Sequence, residues 1–183
     1  MGKMLQRAAT VMDRLSSTMG YLSGGGFFLL SCYIGWEAIG RKFGLPYTGF
    51  SDEISSYALA VAGCWGMTYA MREGSHVRIE VLTSMMPRKL QEYFFLFALF
   101  MLSAFGAFLA YHMAGLALES NGIGARGISS LRAPLAIPQS LVAFGLAVFS
   151  AQGFVQFFCR AVGVDNSRMQ SEVKSERDKG TRK

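Results

Sequence analysis

The chain alternates between long apolar runs and short charged stretches. Four runs stand out, at residues 19–39, 54–71, 93–118 and 135–158. Each reaches or approaches the roughly 20 residues that cross about 30 Å of hydrocarbon. Within a bilayer, backbone polar groups have to be satisfied inside the span, so the runs predict helices. A barrel would need alternating strands of roughly 10 residues, and Phe94-Phe95-Leu96-Phe97-Ala98-Leu99-Phe100 does not alternate. The pattern predicts an all-α integral membrane protein with four transmembrane helices. The third helix starts near Pro87, which suits a helix first turn, and runs to Leu118. At 1.5 Å per residue it is about 45 Å long, so it should tilt or project into the cytoplasm.

Two weaker patterns flank the spans. Leu5, Ala8, Met12, Leu15 and Met19 recur at steps of three and four, with Lys3, Gln6, Asp13 and Ser17 largely between them. That moment predicts an amphipathic helix over residues 1–18, lying in the plane of the cytoplasmic leaflet. Residues 79–86, apolar apart from Glu80 and Thr83, predict a short interfacial helix after span two. The membrane domain then covers 19–163. Residues 164–183 are polar and charged, which predicts a disordered tail.

Charge fixes an orientation. About half of the 183 residues are apolar, and the charged 16% collect at the termini and between the runs. Lys3, Arg7, Arg14, Arg72, Arg78, Arg88, Lys89 and the tail cations fall on one side, against Arg41, Lys42, Arg126 and Arg132 on the other. The positive-inside rule places both termini in the cytoplasm. The net charge of +6 is then a topology signal, which disfavours nucleic acid as a partner. Nearly twenty residues precede the first run and no A-x-A pattern follows it, so it reads as a retained helix, not a cleaved signal. Cys32, Cys64 and Cys159 lie in or at the ends of apolar runs and form neither a disulfide framework nor a metal-ligand spacing.

Candidate contacts concentrate at the ends of the spans. Glu37 and Arg41 are four apart and can pair; Glu37 sits too near its span's end for a mid-membrane proton relay. Ser51 is the expected N-cap of span two, and Asp52 and Glu53 in its first turn suit the helix dipole. The opposite end of that span carries Arg72, His76, Arg78 and Glu80. Small residues at four-residue spacing let helices approach closely in a membrane. Gly20 and Gly24 in span one and Ala58, Ala62, Gly66 and Ala70 in span two are the main candidates.

Chemistry is sparse. Metalloprotease, P-loop and nucleophile-elbow strings are missing. Gly122-Ile123-Gly124-Ala125-Arg126-Gly127 matches G-x-G-x-x-G but follows a membrane helix instead of a strand, so it reads as a flexible loop. His76 and His112 belong to opposite membrane faces, which argues against joint haem ligation. No catalytic, cofactor or metal residues are expected in this chain.

The exit of span two, Ala70-Met71-Arg72-Glu73-Gly74-Ser75-His76-Val77-Arg78-Ile79-Glu80, resembles one family's pattern. In that pattern a basic residue precedes Gly and His at alternate positions, and Arg then stands between branched residues before an acid. Arg41-Lys42-Phe43-Gly44, Phe50-Ser51-Asp52-Glu53-Ile54, and Ser129-Ser130-Leu131 with Ile137-Pro138 add to the likeness. The chain is similar to the small, DctQ-like membrane subunit of the tripartite ATP-independent periplasmic (TRAP) transporters. One departure is Phe50, where members often carry Trp. The resemblance implies a bacterial inner-membrane protein paired with a large permease subunit and served by a periplasmic substrate-binding protein. It implies sodium-coupled import of organic anions such as carboxylates, with substrate and sodium sites on the large subunit. The small subunit would then be a scaffold held by membrane lipids and that partner. A small four-helix exporter and a redox-complex anchor are the alternatives; the exporter needs a membrane-embedded acid, and only Glu37 is available.

Overall fold

A computed structural model describes residues 2–44, 46, 48–73, 87–127 and 132–161. It contains four helices: α1 (Gly2–Phe43), α2 (Ser51–Arg72), α3 (Arg88–Gly122) and α4 (Ala136–Ala161). Among the described residues there is no strand, only an isolated bridge between Arg126 and Pro134. Residues 79–86 and 164–183, expected as an interfacial helix and a disordered tail, lie outside the described residues.

Local chemistry accounts for the helix ends. α1 stops where Gly44 takes φ 67°, a left-handed conformation that glycine reaches without a Cβ penalty. Arg41 and Lys42 occupy its last turn, where the dipole favours cations. α2 opens at Phe50, whose carbonyl accepts from the Ile54 amide at 3.1 Å. Ser51, the expected cap, is instead the first helical residue, and no side chain caps this end. Pro87 stands one position before α3 (φ −62°, ψ 141°), and its carbonyl accepts from Leu90 at 2.9 Å and Gln91 at 3.2 Å. α3 has 35 residues and so spans about 52 Å. Pro138 lies in the first turn of α4, where no intrahelical donor is lost.

The N-terminal segment corrects the sequence expectation. Residues 1–18 were expected to lie in the membrane plane, apart from span one. Residues 2–43 instead form one continuous helix. The cause is packing: Ala9, Ser16 and Met19 are buried, and Asp13 and Ser17, expected on a solvated face, bond to other helices.

α4 is the central element. It touches α1, α2 and α3, while α1 packs mainly on α2 and α3 mainly on α4. Met71, Leu99 and Phe149 form the apolar cluster where α2, α3 and α4 meet. The seams use small residues and hydroxyls. Ser23 donates to the Ala62 carbonyl at 2.5 Å, and a Cβ on Gly20 would lie 2.6 Å from the Tyr69 ring. Trp65 donates to the Leu141 carbonyl at 3.1 Å because Gly145 leaves room for its indole. Ser150 donates to the Ser103 carbonyl at 2.8 Å.

Burial is inverted relative to a soluble domain. The largest fully buried side chains are Gln152, Glu37, Thr68, Cys159, Ser16 and Ser103, while Phe28, Leu29, Trp36, Phe97, Phe108 and Tyr111 are among the exposed ones. Soluble monomers rarely expose apolar area on this scale. By length and composition, Leu90–Gly122 and Ala136–Ala161 are long and apolar enough to cross a membrane.

Candidate functional site: polar clusters at the two ends of the helices

The polar side chains gather near the two ends of the bundle. The proximal end holds the start of α1 and the end of α4; the distal end holds the end of α1, the start of α2 and the paired arms at 125–127 and 133–135.

At the proximal end, α1, α2 and α4 meet through side chains. Gln152, 1% exposed, donates from Nε2 to Asp13 Oδ1 at 2.9 Å and accepts from Ser16 Oγ at 3.3 Å. Arg72 donates from Nη1 to Ser17 Oγ at 2.5 Å. Its Nε lies 3.9 Å from the same Asp13 oxygen, and Glu73 is 3.5 Å from Nη1. Gln156 donates to the Met71 carbonyl at 2.9 Å. Buried amides of this kind have to be hydrogen-bonded, and here every bond made by Gln152 and Gln156 crosses between helices. Of the residues expected at this end of α2, Arg72 is placed in this cluster. His76, Arg78 and Glu80 lie outside the described residues. Asp13 and Gln152 were not singled out as partners, because a separation of 139 positions leaves no local signal.

At the distal end, Glu37 is 2% exposed. Its Oε1 accepts from the Thr48 amide at 2.6 Å, from the Thr48 hydroxyl and from Tyr33 at 3.5 Å. Oε2 is 3.6 Å from Arg41 Nη2. That guanidinium also donates to Ser51 Oγ at 2.6 Å. One carboxylate therefore ties the end of α1 to the loop before α2. Asp52 is exposed; Glu53, expected beside it at the surface, is turned inward at 8% exposure. Tyr57 donates to Glu53 Oε1 at 2.8 Å, and Gly127 lies against the same oxygen so closely that a Cβ would collide with it. The arms around Gly127 are paired by Gly127 N to Ala133 O at 2.9 Å and Leu135 N to Ala125 O at 3.1 Å. The G-x-G-x-x-G string, expected as a flexible loop, is thus half helix end and half paired arm. Its glycines lie at and beyond the C-terminus of α3, not between a strand and a helix, so the string lacks the context of a dinucleotide fingerprint.

The expected packing stripe is only partly where the sequence put it. Gly20 faces Tyr69, and Gly66 faces Ser23 Oγ, 3.0 Å from where its Cβ would be. Ala62 is buried; Ala58 and Ala70 are half-buried. Gly24 has no neighbour within 4 Å of its Cβ position, and Ser23 takes the contact expected of it. The α4 glycines that make close contacts, Gly145 against Trp65 and Gly153 against Ser103, were not among the candidates. His112 sits on α3 between the rings of Phe108 and Tyr111.

This arrangement joins helices to helices and helices to loops. The family model for the DctQ component of tripartite ATP-independent periplasmic transporters matches residues 30–163, from the distal half of α1 through α4. No curated protein and no solved structure matches the chain. The model match covers well over half of the sequence, and the chain belongs to the DctQ family of TRAP transporter membrane components.

Proposed function

We propose that this chain is the small permease subunit of a sodium-coupled, binding-protein-dependent importer of organic anions, with no substrate site of its own. Its task is to scaffold the large permease subunit. The observation that carries this reading is the use made of polar groups. Gln152, Thr68, Ser150, Ser16 and Glu37 are buried and engaged between elements, while large apolar side chains point outward to lipid or a partner.

In this reading all four helices cross the inner membrane, with both termini cytoplasmic and the distal loops periplasmic. Sodium and substrate are handled by the large subunit. Arg72 is already engaged within the chain, so His76, Arg78 and Glu80 are the residues left to grip that subunit. Asp52, being exposed where Glu53 is buried, is the member of that pair open to the periplasmic binding protein.

The test is co-expression with the adjacent reading frames, followed by reconstitution. A stable complex with a large multi-span protein, and sodium-dependent uptake that vanishes without this chain, is the expected result. Uptake by the large protein alone at the full rate refutes the scaffold role. Terminal tags accessible to protease from the periplasm refute the orientation.

A further inference from the structure

α1 changes character at residue 24. Up to Ser23 it is locked to its neighbours: Ala9, Ser16, Met19 and Ser23 are buried, and Asp13 and Ser17 bond across to α4 and α2. From residue 24 to 36 no position is buried, and the next buried one is Glu37. The facing stretch of α2, residues 54–61, likewise has no buried position.

The change coincides with Gly24-Gly25-Gly26. Glycine is the poorest helix former after proline, so three in succession within a helix call for a reason. At Gly20, Gly66, Gly106, Gly145 and Gly153 that reason is a close contact, whereas Gly35, Gly63 and Gly115 are single glycines without one. At Gly24, Gly25 and Gly26 no atom among the described residues lies within 4 Å of a Cβ position. Packing within the chain does not account for them. Sharp bends in long helices occur at points such as Gly/Ser pairs, here Ser23-Gly24, and a hinge is a few residues, often small, that absorb the backbone change.

We propose that Gly24–Gly26 is a hinge that divides α1 into a fixed proximal segment and a distal segment able to swing. The swing would carry Thr48, which Glu37 holds, and would load the bond from Arg41 to Ser51, the first residue of α2. From Gly26 to Ile39 the lever is about 20 Å, so a swing of about 10° displaces Ile39 by roughly 3–4 Å. This rests on the packing of α1 alone, and its failure would leave the transporter reading untouched.

The test is electron–electron distance measurement on the full chain in lipid nanodiscs, with Cys32, Cys64 and Cys159 replaced. A distal pair of labels sits at the exposed positions Ile39 and Leu118, and a proximal pair at Val11 and Phe94. The distal distribution should be broader than the proximal one. The G24A/G25A/G26A variant should narrow it to the proximal width. Equal widths in the unsubstituted chain overturn the hinge without need of the variant, as does a distal width that the alanines leave unchanged.

Discussion

Replacing Gln152 by Met tests whether the proximal cluster holds α1 to α4. Met nearly conserves the volume, so no large cavity is added to the lost bonds. Two contacts disappear: the one to Asp13 Oδ1 at 2.9 Å and the one from Ser16 at 3.3 Å. A hydrogen bond to a charged group contributes about 1.5–3 kcal/mol in soluble proteins. Between membrane helices measured values average about 0.6 and reach about 1.7 kcal/mol. The Asp13 side chain is 27% exposed, so solvent or headgroups recover part of what it loses. We therefore expect Gln152→Met to cost about 1–2 kcal/mol, of which about 1 kcal/mol is coupling to Asp13. A double-mutant cycle with Asp13→Ala isolates that coupling. Reversible unfolding in mixed micelles of increasing denaturing detergent, followed by circular dichroism, supplies the four stabilities. Ser150→Ala, whose bond runs to Ser103 on α3, is the control and should add to Asp13→Ala without coupling. A Gln152–Asp13 coupling indistinguishable from zero would refute the argument that these side chains fasten α1.

Further outcomes follow from glycine and hydroxyl placement. Gly145→Ala puts a Cβ 2.6 Å from Trp65 Cδ1, so it should cost about 1–3 kcal/mol and shift Trp65 fluorescence in a Trp36→Phe background. Gly24→Ala meets nothing and should stabilise by up to about 1 kcal/mol; a loss of stability would show that another body contacts it. Thr48→Val removes the hydroxyl bond to Glu37 and should raise protease cleavage within residues 44–50, leaving the helix content unchanged by circular dichroism. Alanine at His76 and Arg78 should weaken co-purification with the large subunit; unchanged assembly would mean these residues serve the loop or the lipid surface.

The all-helical architecture was legible because apolar runs of span length leave the backbone little choice. The ends of α2, α3 and α4 fall within about four residues of the expected spans, whereas α1 starts well before residue 19; Glu37 with Arg41 was legible because i,i+4 spacing is local. What the sequence hid was long-range. Residues 1–18 carry a moment that suits a membrane surface equally well as a groove between helices, and contacts with α4 and α2 decide for the groove. Asp13 reads as a solvated residue until Gln152 is seen beside it. Ser51 looked like a cap, yet Arg41 claims its hydroxyl. The Ala143, Ala147 and Ala151 ladder has the spacing of a packing stripe, but Ala147 is exposed and Gly145 and Gly153 take the close contacts. A single sequence gives the period of a helix without its rotation, so it cannot tell which of two adjacent stripes faces inward.

The central position of α4 has a consequence for biosynthesis. α1 and α2 can pair as soon as both have left the ribosome, since they are sequential and packed together. α3 has no comparable partner until α4 arrives. The 39 residues separating the end of α3 at Gly122 from that of α4 at Ala161 take roughly 2–8 s to synthesise at about 5–20 residues per second. During that interval α3 is a solitary greasy rod held by the insertion machinery or by lipid. α4 is therefore the keystone, and a chain truncated before it should be degraded instead of accumulating with α3 unpartnered.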